Sequence, residues 1–160
     1  MSNLTWAAAV PLVGGMAFGA RRALGGGPQW IASYEDEFGN NDRHARSYFG
    51  DPPYYELADE SAKLPLAGAD VVVTLCPCAG LSHATHSKFG SDQRMKQNMW
   101  MVRVAERVLD EARPKVLVGE NAPNLFTPSG RAVREMLYEL ADEFGYNVSF
   151  VKTSTDLHGI

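Results

Sequence analysis

The sequence is short of cysteine, has no long apolar run and carries no excess of basic residues. Cys76 and Cys78 are its only cysteines in 160 residues. Separated by one residue, they are badly placed for a disulfide and too few to hold a structural zinc ion. Two unpaired thiols indicate a reducing compartment, and no stretch is long enough to span a bilayer. We therefore expect a cytoplasmic protein with no bound metal and no membrane partner.

The charge balance gives no sign of an autonomous nucleic-acid surface. The chain has 15 Lys and Arg residues against 19 Asp and Glu residues, a formal charge of −4. A protein that binds DNA by itself usually shows a basic stripe, and none is visible here. The apolar segment 4–13 lacks a preceding positive charge, so we interpret it as a strand rather than a signal peptide. The length suits a single domain over residues 1–160.

The apolar pattern alternates strands with helices. The predicted strands are Trp6–Val13, Trp30–Ser33, Tyr55–Ala58, Val71–Leu75, Val116–Gly119 and Tyr146–Lys152. Helices are predicted from the Gly14–Gly19 turn through Leu24, from Asn41 to Tyr48, from Asp92 to Ala112, and from Thr127 through Phe144. This alternation is typical of a doubly wound α/β fold with parallel strands.

Two predicted strand ends carry a thiol and a carboxylate. Cys78 follows Pro77 after the fourth strand, and Glu120 and Asn121 follow the fifth. In open α/β folds the loops beyond the carboxyl ends of strands carry the site, so these groups are expected at one edge. A thiolate can add to an electron-poor ring, and a carboxyl group can protonate that ring. The alternatives are a small buried cysteine and a carboxylate that caps the next helix.

A glycine-rich turn follows the first predicted strand. Gly14, Gly15 and Gly19 would let the backbone approach a ligand at the N-terminus of a helix. Glu35 and Asp36 follow the second strand, where a carboxylate can accept hydrogen bonds from a ribose. Together these residues predict a nucleoside-cofactor site. A packed βα turn followed by a solvated acidic loop would show the same residues.

Taken in order, these motifs resemble those of the cytosine-5 DNA methyltransferases. Pro77-Cys78-Ala79-Gly80-Leu81-Ser82 is similar to that family's catalytic Pro-Cys-Gln-x-x-Ser loop, and Glu120-Asn121-Ala122 to its Glu-Asn-Val motif. The glycines of 14–19 match the later glycines of the family's cofactor loop. Further similarity lies in Asp92-Gln-Arg94 and Leu157-His-Gly-Ile160. The resemblance covers nearly the whole chain in the family's order.

The chain departs from the family pattern at three places. The family's Phe-x-Gly-x-Gly reads here Val10-Pro-Leu12-Val-Gly14, and the Gln after the catalytic cysteine is Ala79. Tyr34 stands where an acidic residue often follows the second strand, which moves the expected ribose ligand to Glu35. These changes bear on cofactor binding and leave the thiol and the carboxyl group in place.

The resemblance implies a Rossmann-like S-adenosylmethionine-dependent methyltransferase fold, mostly parallel and truncated before its last strand. The Cys78 thiolate would attack carbon 6 of a cytosine flipped out of double-stranded DNA, and Glu120 would protonate its ring nitrogen. The methyl group would pass from S-adenosylmethionine to carbon 5. The implied catalytic residues are Cys78, Glu120, Asn121 and Ser82. The implied cofactor residues are Gly14, Gly15, Gly19, Glu35, Asp36 and Pro77.

The resemblance also implies that parts of the enzyme lie elsewhere. Family members continue with an arginine motif, a further strand beside the fifth and a target-recognition region, so we expect a second chain or segment, or self-association. Such enzymes act in DNA methylation and restriction-modification in the cytoplasm of a prokaryote or a phage-infected host. Two alternatives remain. One is an inactive module that binds S-adenosylmethionine or a protein. The other is a redox protein using Cys76 and Cys78, whose spacing is unfavourable.

Overall fold

In the described part of the chain, five parallel strands form one sheet. The computed structural model describes residues 4–78, 81, 96 and 98–153. The strands are β1 (Trp6–Ala9), β2 (Ile31–Ser33), β3 (Tyr54–Glu56), β4 (Val71–Leu75) and β5 (Val116–Glu120). They lie in the order β3-β2-β1-β4-β5, and every pairing is parallel. The direction of winding reverses between β1 and β4, which places a crevice beyond their carboxyl ends.

Helices cover the sheet. They are α1 (Gly15–Leu24), α2 (Glu35–Tyr48), α3 (Trp100–Arg107) and α4 (Arg131–Phe144). A π-helical segment, Val108–Ala112, continues α3, and two 3-10 turns, Pro123–Phe126 and Pro128–Gly130, precede α4. In the described ranges no helix is both long and apolar enough to cross a lipid bilayer.

Two apolar layers enclose the sheet because side chains alternate between its faces. One layer packs α1 on the sheet and contains Trp6, Ala8, Ala17, Ala20, Ile31, Val71 and Val73. The other packs α3 on the opposite face and includes Ala7, Ala9, Trp30, Ala32, Val72, Val104 and Val108. The doubly wound fold predicted from the sequence is thereby confirmed, and the sheet holds the strand ends in a fixed relation.

The predicted sixth strand, Tyr146–Lys152, is wrong: these residues are described and form no strand. The Tyr146 hydroxyl donates to the Pro114 carbonyl at 2.6 Å, which fixes the start of the segment near the base of β5. Further along, the Phe150 ring packs edge-on against Phe126 and Tyr138. Aromatic packing therefore holds this segment over α4, where it pairs with no strand.

The second helix begins six residues earlier than predicted, at Glu35 rather than Asn41. The Glu56 carboxylate accepts the Glu35 backbone N–H at 2.9 Å and so caps the first turn. Glu35, Asp36 and Glu37 all lie in that turn, where negative charge is favoured by the helix dipole. The predicted acidic loop is thus the start of a helix.

Candidate active site at the carboxyl edge of the sheet

The ends of β4 and β5 lie side by side. Leu75 pairs with Glu120 in the parallel register, so Glu120 leaves the sheet beside the start of the Cys76–Cys78 segment. Gly119, one residue earlier, is closely packed: a Cβ there would fall 2.7 Å from Met101 Cε and 3.4 Å from Thr74 Cγ2. The close packing of α3 on this strand end holds the Glu120 backbone in position.

The loops that follow β4 and β5 share one apolar cluster. Leu81, three residues after Cys78, is fully buried with Leu125, Val102 and Val133. Its backbone N–H donates to the Cys78 carbonyl at 2.9 Å. Because Leu125 follows the β5 end, this cluster draws the two loops together. The structure therefore brings the Cys78 and Glu120 backbones to one edge of the sheet.

The two cysteines differ in environment. Cys76 is buried, and its Sγ lies 3.2 Å from Thr74 Oγ1. Burial, with a further contribution from the negative charge of Glu120, raises the pKa of the Cys76 thiol to about 11. Cys78 is half-buried. Since the thiolate is the nucleophilic form, Cys76 is unsuited to attack, and Cys78 is the more accessible of the two thiols.

The loop after Glu120 is held by polar contacts. Asn121 Oδ1 accepts the Ala122 backbone N–H at 2.8 Å, and Asn121 Nδ2 lies 3.5 Å from Met101 Sδ. The Arg134 guanidinium donates to the Leu125 carbonyl and, at 3.1 Å, to the Thr127 carbonyl. Asn121 thus positions the turn directly after Glu120 and does not project as a free reactive group.

The remaining predicted residues of this loop are placed only in part. Pro77 is half-buried between the two cysteines. Ser82 lies outside the described residues, as do Ala79 and the Asp92-Gln-Arg94 segment. Their predicted roles stay predictions.

The turn after β1 has an unusual backbone. Val10 and Leu12 have φ angles of 49° and 50°, and Gly14 has 101°. The left-handed region strains a residue with a side chain, above all a β-branched one. The strand accordingly ends at Ala9 rather than at Val13 as predicted. Leu12, which occupies the position of a family glycine, adopts the conformation for which glycine is suited.

The predicted cofactor glycines have different surroundings. A Cβ on Gly14 would lie 2.9 Å from Phe18 Cε2 and 3.4 Å from Ala45 Cβ, whereas nothing lies within 4 Å of a Cβ on Gly15 or Gly19. Gly15 is exposed and is the first residue of α1. An open backbone at a helix N-terminus suits the carboxylate of an amino-acid ligand. The Gly15 end of this turn therefore leaves room for an anionic group of a ligand.

The acidic candidates after β2 lie at the start of α2. The Glu35 carboxylate pairs with Arg46 Nη1 at 3.4 Å and remains about 50% exposed. Asp36 is exposed one residue later. Glu56, at the end of β3, was not singled out from the sequence, although its carboxylate accepts both the Glu35 and Ala58 backbone N–H groups. The predicted strand Tyr55–Ala58 contains Glu56 in its interior, whereas β3 ends at Glu56, so no signal at a strand end pointed to this residue.

The fold and the paired strand ends define a class, the Rossmann-like α/β methyltransferases. A family model described as C-5 cytosine-specific DNA methylase matches residues 30–156. Because that is well over half of the chain, the protein belongs to this family. Its members methylate cytosine at carbon 5 in DNA with S-adenosylmethionine as methyl donor, so DNA is its substrate class. Among curated proteins no sequence matches the chain.

The matched region contains part of the predicted site. Cys78, Glu120 and Asn121 fall within residues 30–156, as do Ser82, Glu35 and Asp36. The match begins after the glycine turn. The roles of Gly14, Gly15 and Gly19 therefore rest on their local geometry and on the sequence resemblance alone.

Proposed function

We propose that this chain forms the catalytic and cofactor-binding part of a DNA cytosine-5 methyltransferase that works through a covalent Cys78 adduct. The supporting observation is the convergence of the β4 and β5 ends: Leu75 pairs with Glu120, and Leu81 and Leu125 share one buried cluster. A half-buried thiol and an exposed carboxylate thus flank the same crevice. S-adenosylmethionine supplies the methyl group when bound.

Each of the two side chains has a defined task in this proposal. The Cys78 thiolate forms a bond to carbon 6 of a flipped cytosine, and electron density moves onto carbon 5 while Glu120 protonates the ring nitrogen. After methylation a water molecule acting as base takes the proton from carbon 5, the sulfur–carbon bond breaks so that the thiolate departs, and the ring nitrogen returns its proton to the Glu120 carboxylate. Asn121 acts as a positioning residue because it fixes the turn after Glu120. Ser82 and Pro77 are assigned to the same loop.

The cofactor side of the proposal uses the turn after β1. Gly15 presents its backbone N–H at the N-terminus of α1, whereas the Gly14 N–H donates to the Pro11 carbonyl at 2.9 Å and so shapes the turn. Glu35 or Asp36 would accept the ribose hydroxyls. The pair between Glu35 and Arg46 leaves half of the Glu35 side chain exposed, so the carboxylate stays accessible to a ligand. Gly19, one turn into α1, is exposed with open space above it.

A complementing strand is part of the proposal. In the described residues β5 is an edge of the sheet, and Val116 and Val118 are 48% and 40% exposed. An unpaired apolar edge strand is a template for pairing with another segment. We propose that a second chain or segment, or a second copy, pairs with β5 and that a target-recognition region is supplied in the same way. Cytoplasmic DNA modification, as in restriction-modification, is the proposed setting.

Trapping on modified DNA tests the covalent step. The full chain, alone and together with candidate complementing chains, is incubated with S-adenosylmethionine and a duplex containing 5-fluorocytosine, whose fluorine cannot leave as the carbon 5 proton does. We expect an adduct that survives denaturing electrophoresis. The adduct should be absent in Cys78→Ser and present in Cys76→Ser, the matched control for loss of a thiol. An adduct lost only in Cys76→Ser would contradict the assignment of the nucleophile.

A second candidate function is an inactive module that binds S-adenosylmethionine or a protein. The observation that favours it is the strained turn after β1. Val10 and Leu12, which replace the Phe and the first Gly of the similar family motif, have left-handed backbone angles there. Binding of S-adenosylmethionine without any adduct, in the presence of every complementing chain tested, would support the module and exclude the enzyme. Sedimentation velocity separates self-association from capture of another chain.

A further inference from the structure

Asp42 is a buried acid that the proposed reaction does not use. It lies on the inward face of α2 and is fully buried, yet neither carboxylate oxygen has a hydrogen-bond partner of good geometry among the described residues. The neighbouring Ser33 hydroxyl is equally buried and equally unpartnered. Buried polar groups are almost always hydrogen-bonded, so an unpartnered acid beside an unpartnered hydroxyl needs an explanation.

The surroundings of Asp42 include the turn that precedes α1. The Ser33 hydroxyl at the end of β2 and the Leu12 backbone N–H face the carboxylate closely enough to lower its pKa, although neither makes a hydrogen bond of good geometry with it. One helical turn further along α2, Ala45 lies against Gly14, with its Cβ 3.4 Å from where a Cβ on that glycine would be. The face of α2 that carries Asp42 and Ala45 therefore supports the proposed cofactor turn from behind.

We propose that Asp42 is a positioning residue for S-adenosylmethionine binding: its ionised carboxylate, buried without a partner behind the turn, would accept the Leu12 N–H when the ligand binds and so hold the turn in the binding conformation. This inference rests on the proposed role of Gly14 and Gly15 in binding that ligand. Leu12 supplies the reason for such support: its φ of 50° is unfavourable for a leucine and persists only where neighbours stabilise it.

The charges around Asp42 decide how ionisation and binding are coupled. Burial raises the pKa of Asp42 to about 6, while the Ser33 and Leu12 donors lower it. On its own helix, Glu35 raises this pKa and Arg46 lowers it. From β3 the Tyr54 hydroxyl faces the same group: burial, Glu35 and Glu56 raise the pKa of Tyr54, and the charge of Asp42 adds to this.

Tightening of the Leu12 and Ser33 donors around the carboxylate on ligand binding would return the pKa of Asp42 toward the ordinary aspartate value. Binding near pH 6 would then release a proton. The linked equilibrium predicts that affinity for S-adenosylmethionine is about tenfold weaker at pH 5 than at pH 7.5. At pH 6, where half of the free protein is protonated at Asp42, binding should release about half a proton per chain.

Calorimetric titration of the full chain with S-adenosylmethionine tests this directly. Proton release is measured at pH 6 in two buffers of different ionisation enthalpy, and affinity is measured from pH 5 to 7.5. Asp42→Asn should lose both the proton release and the pH dependence. Glu37→Gln, which removes a charge from the exposed face of the same helix, should keep both. The amino group of the ligand is common to all three titrations, so the difference between the wild type and Asp42→Asn isolates Asp42.

The outcomes are distinguishable. Binding with the same pH dependence in the wild type and Asp42→Asn overturns the inference and leaves the proposed function standing. Absence of binding at every pH overturns both. If Asp42→Asn does not fold, the wild-type proton release decides alone: about half a proton at pH 6 supports the coupling, and none contradicts it.

Discussion

Adjacent glycines in the turn before α1 should respond in opposite ways to the same substitution. Gly14 has a φ of 101°, and an added Cβ would lie 2.9 Å from Phe18 Cε2. Gly15 has open space around it and begins α1. Gly14→Ala and Gly15→Ala therefore add one methyl group to neighbouring residues, and each serves as the control for the other.

The expected magnitudes follow from these environments. At Gly14 the left-handed backbone costs alanine about 1–2 kcal/mol, and displacing the Phe18 ring costs about 1 kcal/mol more. The smaller entropy of the unfolded alanine chain offsets about 0.5–1 kcal/mol of this. A net loss of about 2 kcal/mol is expected. At Gly15 neither the left-handed backbone nor a clash opposes alanine, and only the smaller entropy of the unfolded chain remains. The free energy of unfolding should therefore rise by up to about 1 kcal/mol.

Urea denaturation followed by tryptophan fluorescence measures both variants. The free energies of unfolding of the two should differ by about 2–3 kcal/mol with the same m-value. Gly15→Ala should nevertheless weaken binding of S-adenosylmethionine, because its methyl group occupies the open space assigned to the ligand. Equal losses of stability in both variants would refute the argument from backbone strain at Gly14.

Three further predictions concern titratable side chains. Iodoacetamide should label Cys78 and spare Cys76 in the folded protein, as read by peptide mass spectrometry; equal labelling would contradict the burial of Cys76. Because the pKa of buried Asp42 is raised to about 6, the free protein should lose about 2 kcal/mol of stability as pH rises from about 4 to 6, and Asp42→Asn should abolish this loss. Burial raises the pKa of Glu111, but donation from the Leu64 N–H, Lys63 and Arg107 outweighs this and lowers it. Glu111→Gln should therefore cost about 1–3 kcal/mol at pH 7, a difference that shrinks as pH falls below the ordinary glutamate range; a constant difference would contradict the ion pairs.

Much of the fold could be predicted from residue patterns because these record local physics. The β-branched run Val71–Leu75 appears with the bounds predicted for it, and Gly145 ends α4 in a left-handed conformation as a glycine after a helix should. The parallel direction of the strands could be predicted because strands alternate with helices along the chain. Cys78 and Glu120 could be placed at one edge for the same reason, since strand ends in such sheets share an edge.

Other features depended on contacts between distant segments. The Tyr146–Lys152 segment has the alternation of a strand, yet the Phe150 contacts with Phe126 and Tyr138 hold it away from the sheet. The start of α2 at Glu35 is set by the Glu56 carboxylate, which lies 21 residues along the chain. A pattern of neighbouring residues does not reveal a helix cap or an aromatic contact when the partner belongs to another element of the fold.

The amino-acid sequence by itself determined the class of fold and the parallel direction of its strands, and it predicts Cys78 and Glu120 as the two reactive side chains, because periodicity and motif order are local properties. Tertiary structure alone decided how the turn before α1 is strained and where Asp42 lies, and it confirmed the interpretation of Cys76 as the buried thiol. Those depend on burial and on partners contributed by other elements. A buried carboxylate behind a strained turn is visible only once α2, β2 and that turn have packed together.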